Sequence, residues 1–177
     1  LAVTSKIVSL AENRVVSKTE VPSKEELVRK ESDHFLGTIG YGTTLTITHG
    51  LLIPAAGIDE SNAQEDYYIL YPRDPYYSAK KLWVELREKL SIDRLGVLLT
   101  DSHTTPLRRG VTGIALSFWG FDPTDNLVGQ PDLFGRPFKM TQINHADALA
   151  AAAVYAMGEG TCPRPLALIE GAALCFC

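Results

Sequence analysis

The chain predicts an α+β fold, with mixed sheets and interspersed helices and no Rossmann or P-loop architecture. Three observations carry this. β-branched residues at period two, as at Thr44, Thr46 and Thr48, occur in the same chain as helical spacings such as Leu82, Leu86 and Leu90. Strand and helix signals follow one another with no regular β-α-β period. Neither G-x-x-x-x-G-K-[ST] nor G-x-G-x-x-G is present, so neither familiar phosphate loop can be invoked.

In chain order, Val3, Ile7, Val8, Val15 and Val16 predict one or two short strands around a polar turn at Glu12-Asn13-Arg14. A helix should begin at Lys24, with Ser23 as N-cap and Glu26 completing a capping box, and fade before Gly37. Thr43, Leu45 and Ile47 alternate with the three threonines, a pattern suited to a half-buried strand that runs into His49-Gly50. An apolar, Gly-containing turn then ends in residues 57–62. Residues 67–71 make another strand, stopped by Pro72 and Pro75. Ser78 opens a helix to about Leu90. The continuous run Leu95, Val97, Leu98, Leu99 fits a strand buried on both faces, ending at Thr100-Asp101-Ser102. Val111 to Trp119 is a further strand, and residues 122–137 form a long loop rich in Pro, Gly and Asp. The last helix runs from an Asn144 N-cap, with Asp147 at N3, to Met157, where Gly158 stops it. Its seven alanines leave little bulk, so neighbouring backbone can approach closely.

Length and composition bound what this fold can serve. A chain of 177 residues is one domain's worth and can bury a core unaided. It is 45% hydrophobic and 21% charged, which is a globular composition and not a disordered one. A net charge of −4 argues against nucleic acid or an anionic membrane as partner, since both need a basic footprint, and favours small-molecule substrates. No apolar stretch reaches the roughly 18 residues of a membrane span, and no charged leader precedes an apolar run, so a cytoplasmic protein is expected. Three cysteines do not make a disulfide framework. Cys162 stands alone, and the terminal C-x-C of Cys175 and Cys177 would need ligands from the scattered His34, His49, His103 and His145, so reduced thiols are the expectation. The start at Leu1-Ala2-Val3, without Met, reads as that of a fragment.

Two carboxylates stand out because each follows an apolar run where a rigid element hands over to a polar loop. Asp59 follows residues 51–58, and Asp101 follows Val97-Leu98-Leu99-Thr100. Such groups suit Mg²⁺ or Mn²⁺, which take hard oxygen ligands and bind substrate phosphates, and Asn62 and Ser102 add neutral oxygens beside them. The competing reading is Asp as an ordinary turn or cap residue. Arg108, Arg109 and Arg136 are cations in polar loops, suited to phosphate or carboxylate or simply solvated. His49 and His103 border the same two loops, as ligands, bases or hydrogen-bonded loop residues.

Six blocks in order resemble the coenzyme F-420-0:γ-glutamyl ligase family along nearly the whole chain. They are residues 3–9, Ala56-Gly57-Ile58-Asp59-Glu60-Ser61-Asn62, Pro72-Arg73-Asp74-Pro75 with Ser78-Ala79, Thr100-Asp101-Ser102 with Pro106 and Arg108-Arg109-Gly110, Asp132-Leu133-Phe134-Gly135-Arg136, and 146–159. The resemblance implies a ligase that uses GTP and Mg²⁺ or Mn²⁺ to join the amine of L-glutamate to a cofactor carboxylate through an acyl phosphate. It implies Asp59 and Asp101 as metal-binding and catalytic, Ser102 as serving a second metal, and Arg108 as a catalytic cation. Ser5, Asn62 and the Gly158-Glu159-Gly160 turn match nucleotide-binding positions. It also implies a homodimer, for which Trp83, Phe118, Trp119 and Phe121 are candidate interface aromatics or core. Family members carry a further segment before the Val-Thr-Ser block that touches the nucleotide, so an incompletely walled nucleotide site is expected.

The departures bear on the acceptor. Leu10 stands where the family has Lys, His103-Thr104-Thr105 replaces an arginine-containing stretch, and Val128 replaces an arginine before Gly129. Losing three cations around an anionic substrate is a poor fit to an unchanged specificity. A folate-like acceptor of the folate-type γ-glutamate ligases, a non-catalytic nucleotide- or cofactor-binding homologue, and a metal-dependent phosphate hydrolase are the alternatives.

Overall fold

The structure, a computed structural model, describes residues 1–61, 66–160 and 164–177, with Tyr41 described by its backbone only. Its centre is a four-stranded mixed sheet whose strands lie in the order Leu166–Ala167, Ala2–Thr4, Val97–Thr104 and Val111–Trp119. β1 (Ala2–Thr4) runs parallel to β7 (Val97–Thr104), β7 is antiparallel to β8 (Val111–Trp119), and β11 (Leu166–Ala167) closes the other edge. Val97 and Leu99 point to one face and Leu98 to the other, and all three are buried, as the continuous apolar run predicts.

A helix covers each face. On the Val97 and Leu99 side lies α3 (Pro75–Leu90), packing Ala79, Leu82, Trp83 and Leu86 against Val3 and Leu116. On the Leu98 side lies α4 (His145–Met157), packing Ala146, Ala150, Ala153 and Met157 against Ala2 and Phe121. Asn144 caps α4 by accepting from the Asp147 N–H at 3.0 Å, as expected of this N-cap. The close approach expected of its alanines is present: a Cβ on Gly113 of β8 would lie 2.3 Å from the Ala150 carbonyl oxygen.

A smaller layer packs beside this one. The antiparallel β3 (His34–Thr38), β4 (Thr44–Thr48) and β5 (Leu51–Pro54) form one sheet, and β2 (Val15–Ser17) pairs with β6 (Tyr67–Ile69). α2 (Lys24–Glu31) buries Leu27 and Val28 against Ala56, Ile58, Tyr68 and Leu70. Ser23 caps it, accepting from the Glu26 N–H at 3.2 Å. Mixed and antiparallel sheets with four helices among the described residues make this the expected α+β fold.

Several boundaries differ from the sequence reading: His34–Thr38 and Leu51–Pro54 are strands where a fading helix and an apolar turn are expected, because each pairs with β4, and four more differences follow. Ser5–Ala11 is a helix, α1, not a strand. Its buried residues Ser5, Val8 and Ser9 recur at three and four, and that tertiary burial overrides the β-branched propensity of Ile7 and Val8. α3 begins at Pro75 because Asp74 accepts from the Tyr77 N–H at 2.9 Å and Pro suits the first turn. Ser78 is buried inside it, donating to Glu12 Oε1 at 2.6 Å. β7 does not stop at Asp101 but continues to Thr104, because Val111–Ala115 of β8 offers a backbone ladder whatever the side chains. The polar loop contains β9 (Thr124–Asn126), held by β10 (Gln142–Asn144) through backbone pairing that its low-propensity residues do not announce.

A tight turn at Ala55–Gly57 follows β5. Ala55, Ala56 and Gly57 all have positive φ (51°, 53° and 71°), a conformation that costs energy for the alanines. Thr46 holds it: its fully buried hydroxyl donates to the Ile53 carbonyl at 2.6 Å and accepts from the Ala56 N–H at 3.0 Å. Thr46→Val keeps the shape and leaves that N–H without its acceptor, so urea denaturation should show a loss of about 1–3 kcal/mol. An unchanged midpoint would mean that the turn does not depend on the hydroxyl.

Candidate functional site

The end of β1 and start of α1, the segment after the strained turn, the polar half of β7 and the C-terminus of α4 meet around an open cleft of about 890 Å³. Asp59 reaches it from the segment that leaves the Ala55–Gly57 turn. Its backbone exchanges two hydrogen bonds of 2.9 Å with Ile69 at the end of β6, which fixes the chain there. Asp101 reaches it from β7, opposite Ile114 of β8. The two carboxylates are 42 residues apart in sequence and close enough for the charge of Asp59 to act on Asp101.

Their electrostatics differ. Burial pushes the Asp59 carboxyl up, but the Lys6 ammonium, 2.5 Å from Oδ2, and the Ser61 N–H and hydroxyl at 2.6 and 3.0 Å outweigh it, so its pKa lies below the ordinary carboxylate value. At Asp101 burial dominates and, helped by the charge of Asp59, raises the pKa to about 6. The Tyr71 hydroxyl, donating to Oδ2, and the Ser102 N–H, donating to Oδ1 at 2.8 Å, oppose the rise without cancelling it. The same burial, with the charge of Asp101, holds the Tyr71 hydroxyl protonated far into the alkaline range.

Of the residues singled out in the sequence, the fold brings Asp59, Asp101, Ser102, Gly158, Glu159 and Gly160 to this one cleft. Ser5 is 4% exposed at the start of α1, between the cleft-lining Thr4 and Lys6. Asn62 lies outside the described residues, as does Cys162. Arg108 and Arg109 are exposed in the turn between β7 and β8 and do not line the cleft, and Arg136 is paired with Asp132 in the loop before β10. His103 faces Thr112 in the β7–β8 ladder, and the His49 ring lies 6.2 Å from that of Tyr71. Leu10 lines the cleft, while Val128 is in the loop between β9 and β10. Cys175 and Cys177 are free and exposed.

Three residues of the site carry no sequence signal of their own. Lys6 sits in an apolar stretch and meets Asp59 only because residues 5–11 are helical. Tyr71 looks like the end of a strand, and Arg164 like a tail residue, yet one anchors Asp101 and the other lines the cleft.

The donor set is all oxygen: two carboxylates with the Ser61 and Ser102 side chains alongside. Among the described residues no group of three or more His, Cys, Asp or Glu converges. Mg²⁺ and Mn²⁺ sites of the phosphate-handling kind need only one or two carboxylates, with waters and substrate oxygens completing the shell, and the pair fits that class. No helix among the described residues is long and apolar enough to cross a membrane.

Fold and site together define a mixed α+β domain in which paired carboxylates and a glycine-containing turn share one cleft. The family model described as F420-0:Gamma-glutamyl ligase matches residues 1–171. The chain is 34% identical over 192 residues to the Coenzyme F420:L-glutamate ligase of Methanocaldococcus jannaschii, covering 99% of this chain and 76% of that protein. The protein of the same name from Methanopyrus kandleri is 32% identical over 188 residues, covering 97% and 74%. That from Methanosarcina mazei is 39% identical over a shorter stretch of 116 residues, covering 66% and 45%. The chain therefore belongs to the F420-0:gamma-glutamyl ligase family, and it is a ligase that forms a C–N bond with glutamate.

Proposed function

We propose that this chain is a cytoplasmic, GTP- and divalent-metal-dependent ligase that joins the amine of L-glutamate to a carboxylate of F-420-0 or a related cofactor. The observation that carries the reading is the convergence of Asp59, Asp101, Ser102 and the Gly158–Gly160 turn on one cleft from three distant parts of the chain. Asp59 and Asp101 would hold Mg²⁺ or Mn²⁺, with Ser102 serving a second ion. Bound there, the metal would neutralise the charge that develops on transferring phosphate oxygens.

The remaining chemistry is positioning. An acceptor carboxylate oxygen attacks the γ-phosphorus of GTP, GDP leaves, and an acyl phosphate forms. The glutamate nitrogen then attacks the acyl carbon, phosphate leaves with the C–O electron pair, and the amine gives up its proton. Lys6 and Arg164 line the same cleft and supply positive charge near these anions. Gly158, Glu159 and Gly160, with Ser5 and Asn62, would contact the nucleotide. Arg108, exposed on its turn, is given no part within a single protomer.

Mass spectrometry after incubation with GTP, Mn²⁺, glutamate and F-420-0 should show the acceptor heavier by one glutamyl residue. Leu10, Ile7, Val154 and Met157 give the cleft an apolar wall, and this favours including a folate as a second acceptor. Glutamate added only to the folate would redirect the specificity. Nucleotide and Mn²⁺ binding without product from either would overturn both acceptor assignments.

A homodimer belongs to the same reading. Phe121 is buried, and Trp83, Phe118 and Trp119 pack against the two cores, so these aromatics serve the interior. Leu133, Phe134 and Met140, all strongly exposed in the loop between β9 and β10, are where a second copy would sit. A stable, active monomer in light scattering would remove the dimer.

A further inference from the structure

We propose that Tyr71 is the positioning residue of the carboxylate pair, one buried ring that sets the segment carrying Asp59 and, through its hydroxyl, the carboxylate of Asp101. The inference rests on the reading that the pair holds a divalent cation. Tyr71 is only 5% exposed. Its hydroxyl donates to Asp101 Oδ2 while the Ser102 N–H donates to Oδ1 at 2.8 Å, so each oxygen has a protein donor. A carboxylate held at both oxygens cannot rotate freely, and the lone pairs left for a cation have a fixed direction.

The other end of the contact is Gly57, two residues before Asp59. A Cβ on Gly57 would lie 2.1 Å from Cε2 and Cζ of the Tyr71 ring, so the ring occupies the space that any side chain there would need. Gly57 completes the left-handed turn that Thr46 pins, which gives the ring a stiff surface and not a yielding loop. Tyr71 is itself fixed. Its carbonyl accepts from Arg14 Nε at 2.8 Å, and Arg14 is paired with Glu31 at 2.5 Å. Two residues earlier, Ile69 makes the backbone bridge to Asp59. A single side chain thus touches both segments, and a displacement of its ring moves the two carboxylates relative to each other.

The test uses the full chain and Mn²⁺ alone, followed by electron paramagnetic resonance of the free ion. Asp101→Asn serves as the control for the metal site. Tyr71→Phe retains the ring and loses the hydroxyl. It should bind Mn²⁺ roughly 10–100-fold more weakly, as expected for losing the partner of a ligating carboxylate. In ligation assays the Mn²⁺ concentration for half-maximal rate should rise by the same factor, more than kcat falls at saturating Mn²⁺. Gly57→Ala, which displaces the ring with its hydroxyl intact, should weaken Mn²⁺ binding in the same direction.

Parent-like Mn²⁺ affinity in folded Tyr71→Phe overturns the proposal and leaves the carboxylate site standing. So does a kcat that falls at every Mn²⁺ concentration with no change in affinity, because that is the mark of a merely structural role. A Tyr71→Phe chain that does not fold also overturns it, since the packing ring is retained. A parent that does not bind Mn²⁺, or an Asp101→Asn variant that binds it equally well, overturns both this proposal and the metal reading beneath it.

Discussion

Asp101→Asn should abolish ligation and, in the metal-free protein, raise stability at neutral and alkaline pH. The first effect follows from removing a charged metal ligand: several kcal/mol at the transition state, or a rate loss of roughly a thousandfold or more. The second follows from burial. Asp101 has its pKa raised from 3.8 to about 6, so the folded state holds its proton more tightly than the unfolded chain. The stability linked to that proton is fully present below the unfolded value and is lost as the pH rises through the folded one. Above about pH 7 the ionised carboxylate costs the fold about 2–3 kcal/mol, and Asn avoids that cost while keeping an oxygen to accept from Tyr71. Urea midpoints should therefore separate near pH 8 and converge at about pH 4. A gain of equal size at both pH values would mean that packing, and not the buried charge, sets the difference.

Gly113→Ala should be the most damaging single methyl group in the central sheet. The new Cβ would lie 2.3 Å from the Ala150 carbonyl oxygen and 2.7 Å from Val154 Cγ2, and the first of these is backbone that cannot swing aside. Relief requires α4 to move off β8, at about 2–3 kcal/mol, or roughly 5–10 °C in Tm for a domain of this size. The same helix carries Val154, Met157 and the Gly158 turn to the cleft, so KM for the nucleotide should rise in protein that remains folded. A variant that melts within about 2 °C of the parent would show that the α4–β8 contact is looser than the distances imply.

Much of the fold was legible where side-chain pattern and backbone partner agree. The 97–99 run is buried on both faces, the threonines of β4 alternate as expected, and the caps at Ser23 and Asn144 are formed. Reading failed where the partner and not the pattern decides. Ser5–Ala11 is helical because its burial has period three to four, and the polar strands 102–104 and 124–126 exist because β8 and β10 supply their hydrogen bonds. Asp59 and Asp101 were conspicuous as carboxylates after apolar runs. Lys6 and Tyr71 were not, since nothing local marks an ion pair across 53 residues or a hydroxyl aimed 30 residues ahead.

The sequence alone determined the composition class, the α+β mixture, most elements of the central sheet, the two carboxylates as candidates and the family to which the chain belongs. These are properties of local periodicity and residue type, which need no knowledge of what lies across the chain. The tertiary structure alone decided that the carboxylates share a cleft and that their acidities diverge. It also decided that a lysine neutralises one while a buried tyrosine orients the other. Those are effects of distance and desolvation, and both quantities come into being only when remote segments pack together.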